Sequence, residues 1–362
     1  MNARIAPLRG HALRPARVAL LGTGTVGSAA WARLASWADT PLAGCLSLVH
    51  VANSRYAISN RNGIAADTGE LLLRNAPHAS SLDAVADGLS GTGTRIVIDA
   101  TASEEVAERH AQWLAGGIHV VTACKLGQGA SLSRWRAIQS ARERGGTRYG
   151  DSATVGAGLP VLRSLRELQD GGDRIHAIAG VLSGSLAWLF NHYDGLRPFS
   201  NFVRAAREAG YTEPDPRDDL SGEDVRRKLL ILARAAGHPL EADAVQVESL
   251  VPEALAGLAA DAVDAALPAL DAPLRERYAA AYKHGEKLRF IARLQAGGLA
   301  TVGLEALTPE HPLAGGSGND NRVAIWSDRY REQPLVIQGP GAGAEVTAAA
   351  LLDDALRIAR GD

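Results

Sequence analysis

Short apolar runs alternate with amphipathic helical patterns through the first third of the chain. The predicted strands are RVALLG (17–22), LSLVHVANS (46–54), RIVIDAT (95–101) and IHVVTA (118–123), and the predicted helices are SAAWARLASWA (28–38) and SEEVAERHAQWLAGG (103–117). Continuous apolar runs of this kind are typical of strands that are buried on both faces. Strands that alternate with helices predict an α/β fold in which a parallel sheet carries helices on both faces.

The pattern of apolar positions changes after about residue 150. A largely helical stretch covers roughly 202–282, and four strand-like runs then follow without helices between them: KLRFIARLQ, LATVGLEAL, NRVAIWS and PLVIQG. Consecutive strands favour antiparallel pairing, so we expect a second domain of α+β architecture. The chain ends with a glycine-rich loop and one more helical pattern, GPGAGAEVTAAALLDDALRIAR, which we expect to return to the first domain.

Composition narrows the classes of protein to consider. The 362 residues are 46% hydrophobic and 22% charged, with a net charge of -2, which is ordinary for a globular enzyme and gives no attraction to nucleic acid or anionic membranes. The longest apolar runs fall far short of the ~20 residues that span a bilayer. Two cysteines, Cys45 and Cys124, suit a reducing compartment. We therefore expect a cytoplasmic protein that acts on a small molecule.

A glycine motif, GTGTVG, joins the first predicted strand to the first predicted helix. Gly22 permits a tight turn, Gly24 lets the backbone approach a pyrophosphate, and Gly27 allows the helix to pack closely on the strand. Thr25 and Val26 lie in the turn that opens this helix, whose N-terminus attracts phosphate groups, and we expect both to contact the cofactor. The motif predicts a Rossmann-like dinucleotide-binding domain. We assign this domain to residues 1–152, completed by 339–362, and residues 153–338 to substrate binding and dimerisation.

The end of the second predicted strand bears on which dinucleotide binds. NAD-selective sites usually carry a carboxylate there for the ribose 2′-OH, whereas this chain offers Asn53, Ser54 and Arg55. An arginine can pair with a 2′-phosphate through two hydrogen bonds. We therefore expect NADP(H) to be preferred and NAD(H) to be possible, while a solvated loop cation is the other interpretation of Arg55.

An acidic loop leads into a basic helix in GYTEPDPRDDLSGEDVRRKLLILAR (210–234). At 100° per residue, Asp224 and Lys228 fall on the apolar side of the helix, while arginines such as Arg234 fall on the solvent side. A capping role for Asp224, or an exposed ion pair worth ~0.2–0.5 kcal/mol, does not explain this placement. A lysine held away from water beside a carboxylate is suited to exchange a proton with a substrate.

The loop before this helix is stiffened by two prolines, which fix the positions of its carboxylates. We expect Glu213 and Asp215 to bind a substrate that carries a free ammonium group. Asp218 and Asp219 are expected to be solvated or to cap a helix.

Four segments together resemble the homoserine dehydrogenases, most closely the dehydrogenase half of the bifunctional aspartokinase–homoserine dehydrogenases. They are GTGTVGS, ATVGAGLP, SGSLAWLFN and the acidic motif, and the resemblance runs from about residue 17 to the C-terminus. It implies a monofunctional enzyme that interconverts L-homoserine and L-aspartate 4-semialdehyde with NAD(P), in threonine and methionine biosynthesis. It also implies a homodimer, with strands near 287–338 in the interface.

The resemblance implies roles for individual residues at the reacting end of the site. Lys228 would donate or accept the proton at the substrate oxygen, while Glu213 and Asp224 would hold the substrate amine. Lys125 would lie at the edge of the site, near both nicotinamide and substrate. The further contacts implied are Thr101, Gly210 and Gly343 with the cofactor, and Gly184 and Ser185 with the substrate.

A monovalent cation, sodium or potassium, is a further expectation from the resemblance. The backbone carbonyls of Val155, Ala157 and Leu159 would bind it. The family often has an acidic residue where this chain has Ser152, with Asp151 one position earlier, so the integrity of the cation site stays open.

Two other functions compete with this interpretation. One is a semialdehyde dehydrogenase that uses Cys124 as a nucleophile, which would need a histidine base nearby. The other is a non-catalytic NADP-binding sensor that shares the fold. The first predicts sensitivity to thiol reagents, and the second predicts cofactor binding without oxidation of an amino alcohol.

Overall fold

The computed structural model describes residues 15–65, 73, 75–76 and 78–361, and within them the chain forms two sheets with helices packed against them. The strands of the first sheet are β1 (Ala16–Leu21), β2 (Leu46–Ala52), β3 (Tyr56–Ser59), β4 (His78–Ala79), β5 (Arg95–Asp99), β6 (His119–Thr122) and β7 (Tyr149–Gly150). Their order in the described part of the chain is β4-β3-β2-β1-β5-β6-β7. The five strands from β2 to β7 in this order are parallel, whereas β3 and β4 add an antiparallel edge.

Helices cover both faces of the first sheet. They are α1 (Thr25–Ala35), α2 (Ala84–Gly88), α3 (Glu104–Ala115), α4 (Leu132–Gly145) and the last helix of the chain, α13 (Ala344–Arg360). Successive residues of a strand point to opposite faces, so Leu20 packs with the α1 and α13 side while Ala19 packs with the α3 and α4 side. The prediction of an α/β sheet with helices on both faces is confirmed.

The C-terminal helix packs on the first sheet although every strand of the second sheet precedes it in the chain. Leu351 and Leu352 of α13 are fully buried in the same apolar cluster as Trp31 of α1. The predicted return of the C-terminus to the first domain is therefore confirmed. This return carries residues 341–343, which follow β13, along the space between the two sheets.

The second sheet has the order β13-β12-β8-β10-β11-β9 in the described residues. Its strands are β8 (Ile175–Val181), β9 (Val245–Val247), β10 (Lys287–Leu294), β11 (Ala300–Leu307), β12 (Asp320–Ser327) and β13 (Leu335–Pro340). Every pairing is antiparallel except that of β9 with β11. The expected antiparallel, α+β character of this half is confirmed.

Helices cover one face of the second sheet. They are α5 (Val161–Asp170), α6 (Gly184–His192), α7 (Phe199–Glu208), α8 (Pro216–Leu220), α9 (Glu223–Ala235), α10 (Glu253–Ala256), α11 (Val263–Ala266) and α12 (Asp271–Lys283), with 3-10 turns at Ser152–Thr154, Ala242–Ala244, Ala260–Ala262 and Leu267–Leu270. Helix α9 lies in the centre of this layer, where Leu229 and Ile231 are fully buried. Among the described residues, no helix is both long enough and apolar enough to cross a membrane.

Candidate active site

Two of the three glycines in the turn between β1 and α1 have no room for a side chain. Gly22 has φ +91°, and a Cβ on it would lie 2.8 Å from the carbonyl oxygen of Ala100. A Cβ on Gly27 would lie 1.9 Å from the carbonyl oxygen of Gly22. At Gly24, by contrast, a Cβ would meet no protein atom within 4 Å. The protein fold itself therefore requires Gly22 and Gly27, whereas Gly24 leaves open space at the start of the helix.

That open space suits a phosphate group. No side chain in the described structure caps the N-terminus of α1, so the first backbone N–H groups of the helix stay available to an anion. The Cβ-free surface at Gly24 lets a pyrophosphate approach these groups closely. The turn therefore fits a dinucleotide.

A cavity of about 850 Å³ lies between the ends of β1, β2 and β5, and Gly22, Gly24 and Arg55 line it. The turn after β2 is fixed by Asn53, whose Oδ1 accepts hydrogen bonds from the backbone N–H groups of Arg55 and Tyr56, both at 2.8 Å. Because the Asn53 side chain is used in this turn, Ser54 and the exposed Arg55 are the side chains presented at the edge of the cavity.

A second cavity of about 1180 Å³ lies between the two sheets and adjoins the first, since Ala100, Thr101 and Ala102 line both. The expected site residues that line it are Thr25, Val26, Thr101, Lys125, Ala157, Gly184, Ser185, Gly210, Glu213, Asp224, Lys228 and Gly343. Gly27 packs under the turn, and Val155 and Leu159 are absent from this lining. We call the two adjoining cavities the cleft. One continuous space thus reaches from the glycine turn to Lys228.

Lys228 lies on the buried face of α9, as its helical position predicts, and is only 8% exposed. Its Nζ donates a hydrogen bond of 2.7 Å to the carbonyl oxygen of Leu182, at the end of β8. The same Nζ lies 2.8 Å from Oδ2 of Asp224, one helical turn earlier. Two of the three N–H groups of the ammonium are thereby directed, and the side chain lines the cleft.

Asp224 lies between two lysines. Its Oδ2 contacts Lys228, and its Oδ1 lies 3.4 Å from Nζ of Lys125, which reaches across from the loop after β6. Burial raises the pKa of the Asp224 carboxyl, but the charges and hydrogen bonds of Lys228 and Lys125 together outweigh burial and hold that pKa well below its usual value. Asp224 is therefore a carboxylate throughout the neutral range, and its side chain is still 44% exposed towards the cleft.

Asp219 has a role in the site that the sequence did not reveal. Its Oδ1 accepts a hydrogen bond of 2.6 Å from the Ser185 hydroxyl, and its Oδ2 accepts one of 2.8 Å from the backbone N–H of Glu213. Burial raises the pKa of this carboxyl. The expectation of a solvated or capping Asp219 was wrong, because the side chain joins two walls of the cleft.

Asp215 stabilises its own loop and does not face the cleft. It caps α8 by accepting the backbone N–H of Arg217 at 3.0 Å, and it forms an ion pair with the Arg217 guanidinium at 2.6 Å. It is absent from the lining of the cleft, whereas Glu213 is exposed in it. The expected pairing of Glu213 with Asp215 at a substrate is therefore not what the loop provides.

A buried polar network supports the cofactor side of the cleft, and sequence reasoning missed this as well. Oδ1 of Asp99 accepts hydrogen bonds from the backbone N–H and hydroxyl of Thr101, and Oδ2 accepts one from the hydroxyl of Thr122. Nε2 of His110 lies 3.0 Å from the same Oδ2. The loop after β5, which carries Thr101, and the end of β6, which leads into Lys125, are thus tied to one carboxyl group.

Cys124 lies beside Lys125 but faces the interior, with 3% exposure. Burial, together with the charge of Asp99, raises the pKa of its thiol to about 11. A thiol of this kind stays protonated at neutral pH and is a poor nucleophile. The alternative function based on Cys124 is therefore not favoured.

The segment expected to bind a cation has an unusual backbone. Ala157 has φ +51°, in the left-handed region that non-glycine residues rarely adopt. Ser152 donates both its backbone N–H and its hydroxyl to Asp354, while Asp151 pairs with Arg166 at 2.6 Å. The Ser152 hydroxyl and Oδ2 of Asp151 are thus occupied, whereas the buried Oδ1 of Asp151 has no hydrogen-bond partner among the described residues.

Most of the chain is similar to known proteins. The family "Homoserine dehydrogenase" matches residues 160–356, and "Homoserine dehydrogenase, NAD binding domain" matches residues 22–150. The homoserine dehydrogenase of Schizosaccharomyces pombe is 35% identical over 355 residues, which cover 94% of this chain and 94% of that protein. A solved structure from Archaeoglobus fulgidus, described as a putative homoserine dehydrogenase, has a TM-score of 0.78 and 25% identity, and the match covers 95% of this chain and 99% of that one.

Longer relatives match as well. Bifunctional aspartokinase/homoserine dehydrogenase 2 of Escherichia coli (strain K12) is 46% identical over 265 residues, which cover 73% of this chain and 33% of that protein. The chain thus spans about a third of the length of the bifunctional relatives that it matches. The matched families cover both halves of the cleft, and the chain belongs to the homoserine dehydrogenase family.

Proposed function

We propose that the chain catalyses the NAD(P)-dependent interconversion of L-homoserine and L-aspartate 4-semialdehyde. The observation that carries this proposal is the cluster of Lys228, Asp224 and Lys125 in a cleft that Thr25 and Val26 of the glycine turn also line. A proton-exchanging group and a dinucleotide turn in one cleft are what oxidation of an alcohol by a nicotinamide requires.

The proposal assigns cofactor binding and substrate binding to different parts of the chain. Residues 1–152 and 339–362 bind the cofactor, and residues 153–338 bind the substrate and a second copy of the chain. The glycine turn, with Gly22, Gly24, Thr25, Val26 and Gly27, holds the pyrophosphate. The backbones of Gly210 and Gly343 and the side chain of Thr101 contact the cofactor where the two halves meet.

Lys228 exchanges the proton at the substrate oxygen. Its ammonium donates to Leu182 and Asp224, which leaves one N–H for the reacting oxygen. When bound, the nicotinamide supplies or accepts the hydride. In reduction, Lys228 starts protonated and gives up a proton as the alkoxide develops; in oxidation, Lys228 starts neutral and takes one.

The carboxylates orient the substrate. Asp224 stays ionised between Lys228 and Lys125, so it directs both ammonium groups and offers an oxygen to the substrate amine. Glu213 binds the same amine from the other wall, where Asp219 fixes its backbone. Gly184 and Ser185 complete that wall, and Lys125 lies near the substrate and the nicotinamide.

NADP(H) is the preferred cofactor in this proposal, and NAD(H) is accepted less well. This preference is supported by Ser54 and Arg55, which lie after β2 at the edge of the cavity that Gly22 and Gly24 line. A guanidinium there favours a 2′-phosphate, since it can donate two parallel hydrogen bonds to phosphate oxygens.

A monovalent cation at the carbonyls of Val155, Ala157 and Leu159 is also part of the proposal. The left-handed backbone of Ala157 supports it, because such strain in a non-glycine residue tends to accompany a functional constraint. Since the Ser152 hydroxyl bonds Asp354, the side chain at the family's acidic position would add no ligand, and the backbone carbonyls would hold the ion. Rates in sodium, potassium and a bulky ammonium salt at equal ionic strength test this.

A homodimer in the cytoplasm completes the proposal. Alternate residues of β10 face opposite sides of the second sheet: Phe290 packs under the helices, while Ile291 packs with Ala324 and Trp326 on the other face. Ile291 and Ala324 are themselves fully buried within one copy, so the half-buried Trp326 and the surface around it would meet a second copy of the chain, and light scattering on the purified protein tests this. Two cysteines without a disulfide fit a reducing compartment.

The deciding experiment supplies purified protein with L-homoserine and follows nicotinamide absorbance, first with NADP and then with NAD. The expected result is reduction of the nicotinamide that depends on L-homoserine, is faster with NADP, and persists after thiols are blocked. Binding of NADPH without any oxidation of L-homoserine would instead identify a non-catalytic sensor.

A further inference from the structure

The carbonyl oxygen of Leu182 accepts hydrogen bonds from two buried side chains at once. Nζ of Lys228 donates to it at 2.7 Å, and Nδ2 of Asn321 donates to it at 3.2 Å. Leu182 directly follows β8, and Asn321 is the second residue of the neighbouring β12. The anchor of the Lys228 ammonium is therefore shared with a residue from another strand.

The buried carboxamide of Asn321 is less favourable for folding than an apolar side chain of the same size would be. It is 0% exposed, and its Oδ1 has no hydrogen-bond partner among the described residues. A buried acceptor left without a donor destabilises a fold, whereas an apolar side chain of the same shape would not. The amide must therefore contribute something other than stability.

Asn321 also supports the loop that closes the cleft. A Cβ on Gly341 would lie 1.9 Å from Cγ of Asn321, so the carboxamide packs directly against the backbone of Gly341. Gly341 and Asn319 both line the cleft. The carboxamide thus lies directly beneath its lining, between the return loop and the carbonyl that binds Lys228.

We propose that Asn321 is a positioning residue for Lys228. By donating to the Leu182 carbonyl, it fixes the oxygen to which the ammonium is anchored, and with it the direction of the N–H that remains for the substrate. This inference rests on the proposed role of Lys228 in proton exchange. A reacting group that is misplaced by about 1 Å can lose about 100-fold in rate, so a small shift of this carbonyl is sufficient to matter.

The test uses Asn321→Leu, which keeps the shape of the side chain and removes both amide atoms. We expect kcat for L-homoserine oxidation to fall about 10- to 100-fold, with KM for NADP within about twofold and a melting temperature that is unchanged or higher. A fall in kcat without a matching rise in KM for NADP is the signature of a misplaced reacting group and not of a loosened fold.

Ser327→Ala is the matched control, since Ser327 is fully buried on the same strand but bonds Asp173 at the end away from the cleft. It should lower the melting temperature and leave kcat unchanged. Wild-type kcat in Asn321→Leu, with or without lost stability, would overturn the positioning role. If Lys228→Ala is inactive in the same assay, that failure concerns Asn321 alone; if Lys228→Ala is active, the proposed function fails first.

Discussion

The two ends of the cleft are built from different parts of the polypeptide. At the cofactor end the decisive groups are backbone groups, held by the left-handed turn at Gly22 and the close contact at Gly27. At the other end three side chains from two distant segments, those of Lys125, Asp224 and Lys228, come within hydrogen-bonding distance. A backbone site can be predicted from spacing in one short segment, whereas a side-chain site depends on how remote segments pack.

The largest effect is expected at the side-chain end. Lys228→Ala removes the group that exchanges the proton, so kcat should fall about 10²- to 10⁴-fold in steady-state assays of L-homoserine oxidation. Lys283→Ala, which removes an exposed lysine at the end of α12, is the control and should leave kcat unchanged. Turnover of Lys228→Ala near the wild-type rate would remove the basis of the proposed mechanism.

A smaller loss is expected when only the charge between the lysines is removed. Asp224→Asn keeps the size of the side chain but no longer directs two ammonium groups, so kcat should fall about 10- to 100-fold. Glu213→Gln should instead raise KM for L-homoserine more than it lowers kcat, because Glu213 is an exposed contact at the cleft wall. Identical kinetic changes in the two variants would argue against separate roles.

The backbone end is tested by two glycine substitutions. Gly24 has φ -73°, which any residue can adopt, and its Cβ would meet no protein atom, so Gly24→Val should raise KM for NADP about tenfold without loss of stability. Gly27→Ala places a methyl group 1.9 Å from a backbone oxygen and should destabilise the protein by ~2 kcal/mol or more. Chemical denaturation and kinetics on both variants separate the two roles; a destabilised Gly24→Val would show that the open space is needed by the fold.

A smaller change in KM is expected when the residue proposed to select NADP over NAD is substituted. Arg55→Ala should raise KM for NADP about tenfold and leave KM for NAD within about twofold, since only the 2′-phosphate interacts with the guanidinium. Arg61→Ala, on the neighbouring exposed turn, is the control. Equal changes with both dinucleotides would mean that Arg55 does not distinguish them.

The smallest effect concerns stability and pH. Because the pKa of Asp224 lies below its unfolded value, its ionised form stabilises the fold above ~pH 4, and this contribution is lost as pH falls towards the folded pKa. Asp224 is partly exposed, so wild type should exceed Asp224→Asn by only ~1 kcal/mol in the free energy of unfolding at pH 6. The difference should shrink steadily as pH is lowered below 4; a difference that grows would contradict the ion pairs.

Local patterns predicted most of the fold and part of the site. Helical spacing was enough to place Asp224 and Lys228 together on the inner side of α9, because both lie in one continuous helix. The same reasoning was wrong for Arg234, which is 3% exposed, because the carbonyls of Gln128 and Leu240 accept its N–H groups from outside the helix. Acceptors of that kind come from other segments of the chain, so the spacing of residues along the helix does not predict them.

The roles of Asp99 and Asp219 were hidden for a related reason. Asp219 lies before the left-handed Gly222 that starts α9, so no helical period relates it to Asp224. Its partners, the Ser185 hydroxyl and the Glu213 backbone, become visible only when β8 and the acidic loop are brought together. Asp99 appears as one more strand residue until two neighbouring loops fold over it.

The claim that the cleft has separable cofactor and proton-exchange ends is tested most directly by titrating Lys228→Ala with NADPH and following protein fluorescence. The account predicts a dissociation constant within about twofold of wild type in a variant that no longer oxidises L-homoserine. A dissociation constant weakened tenfold or more would show that Lys228 holds the cofactor, and the separation of the two ends would be wrong.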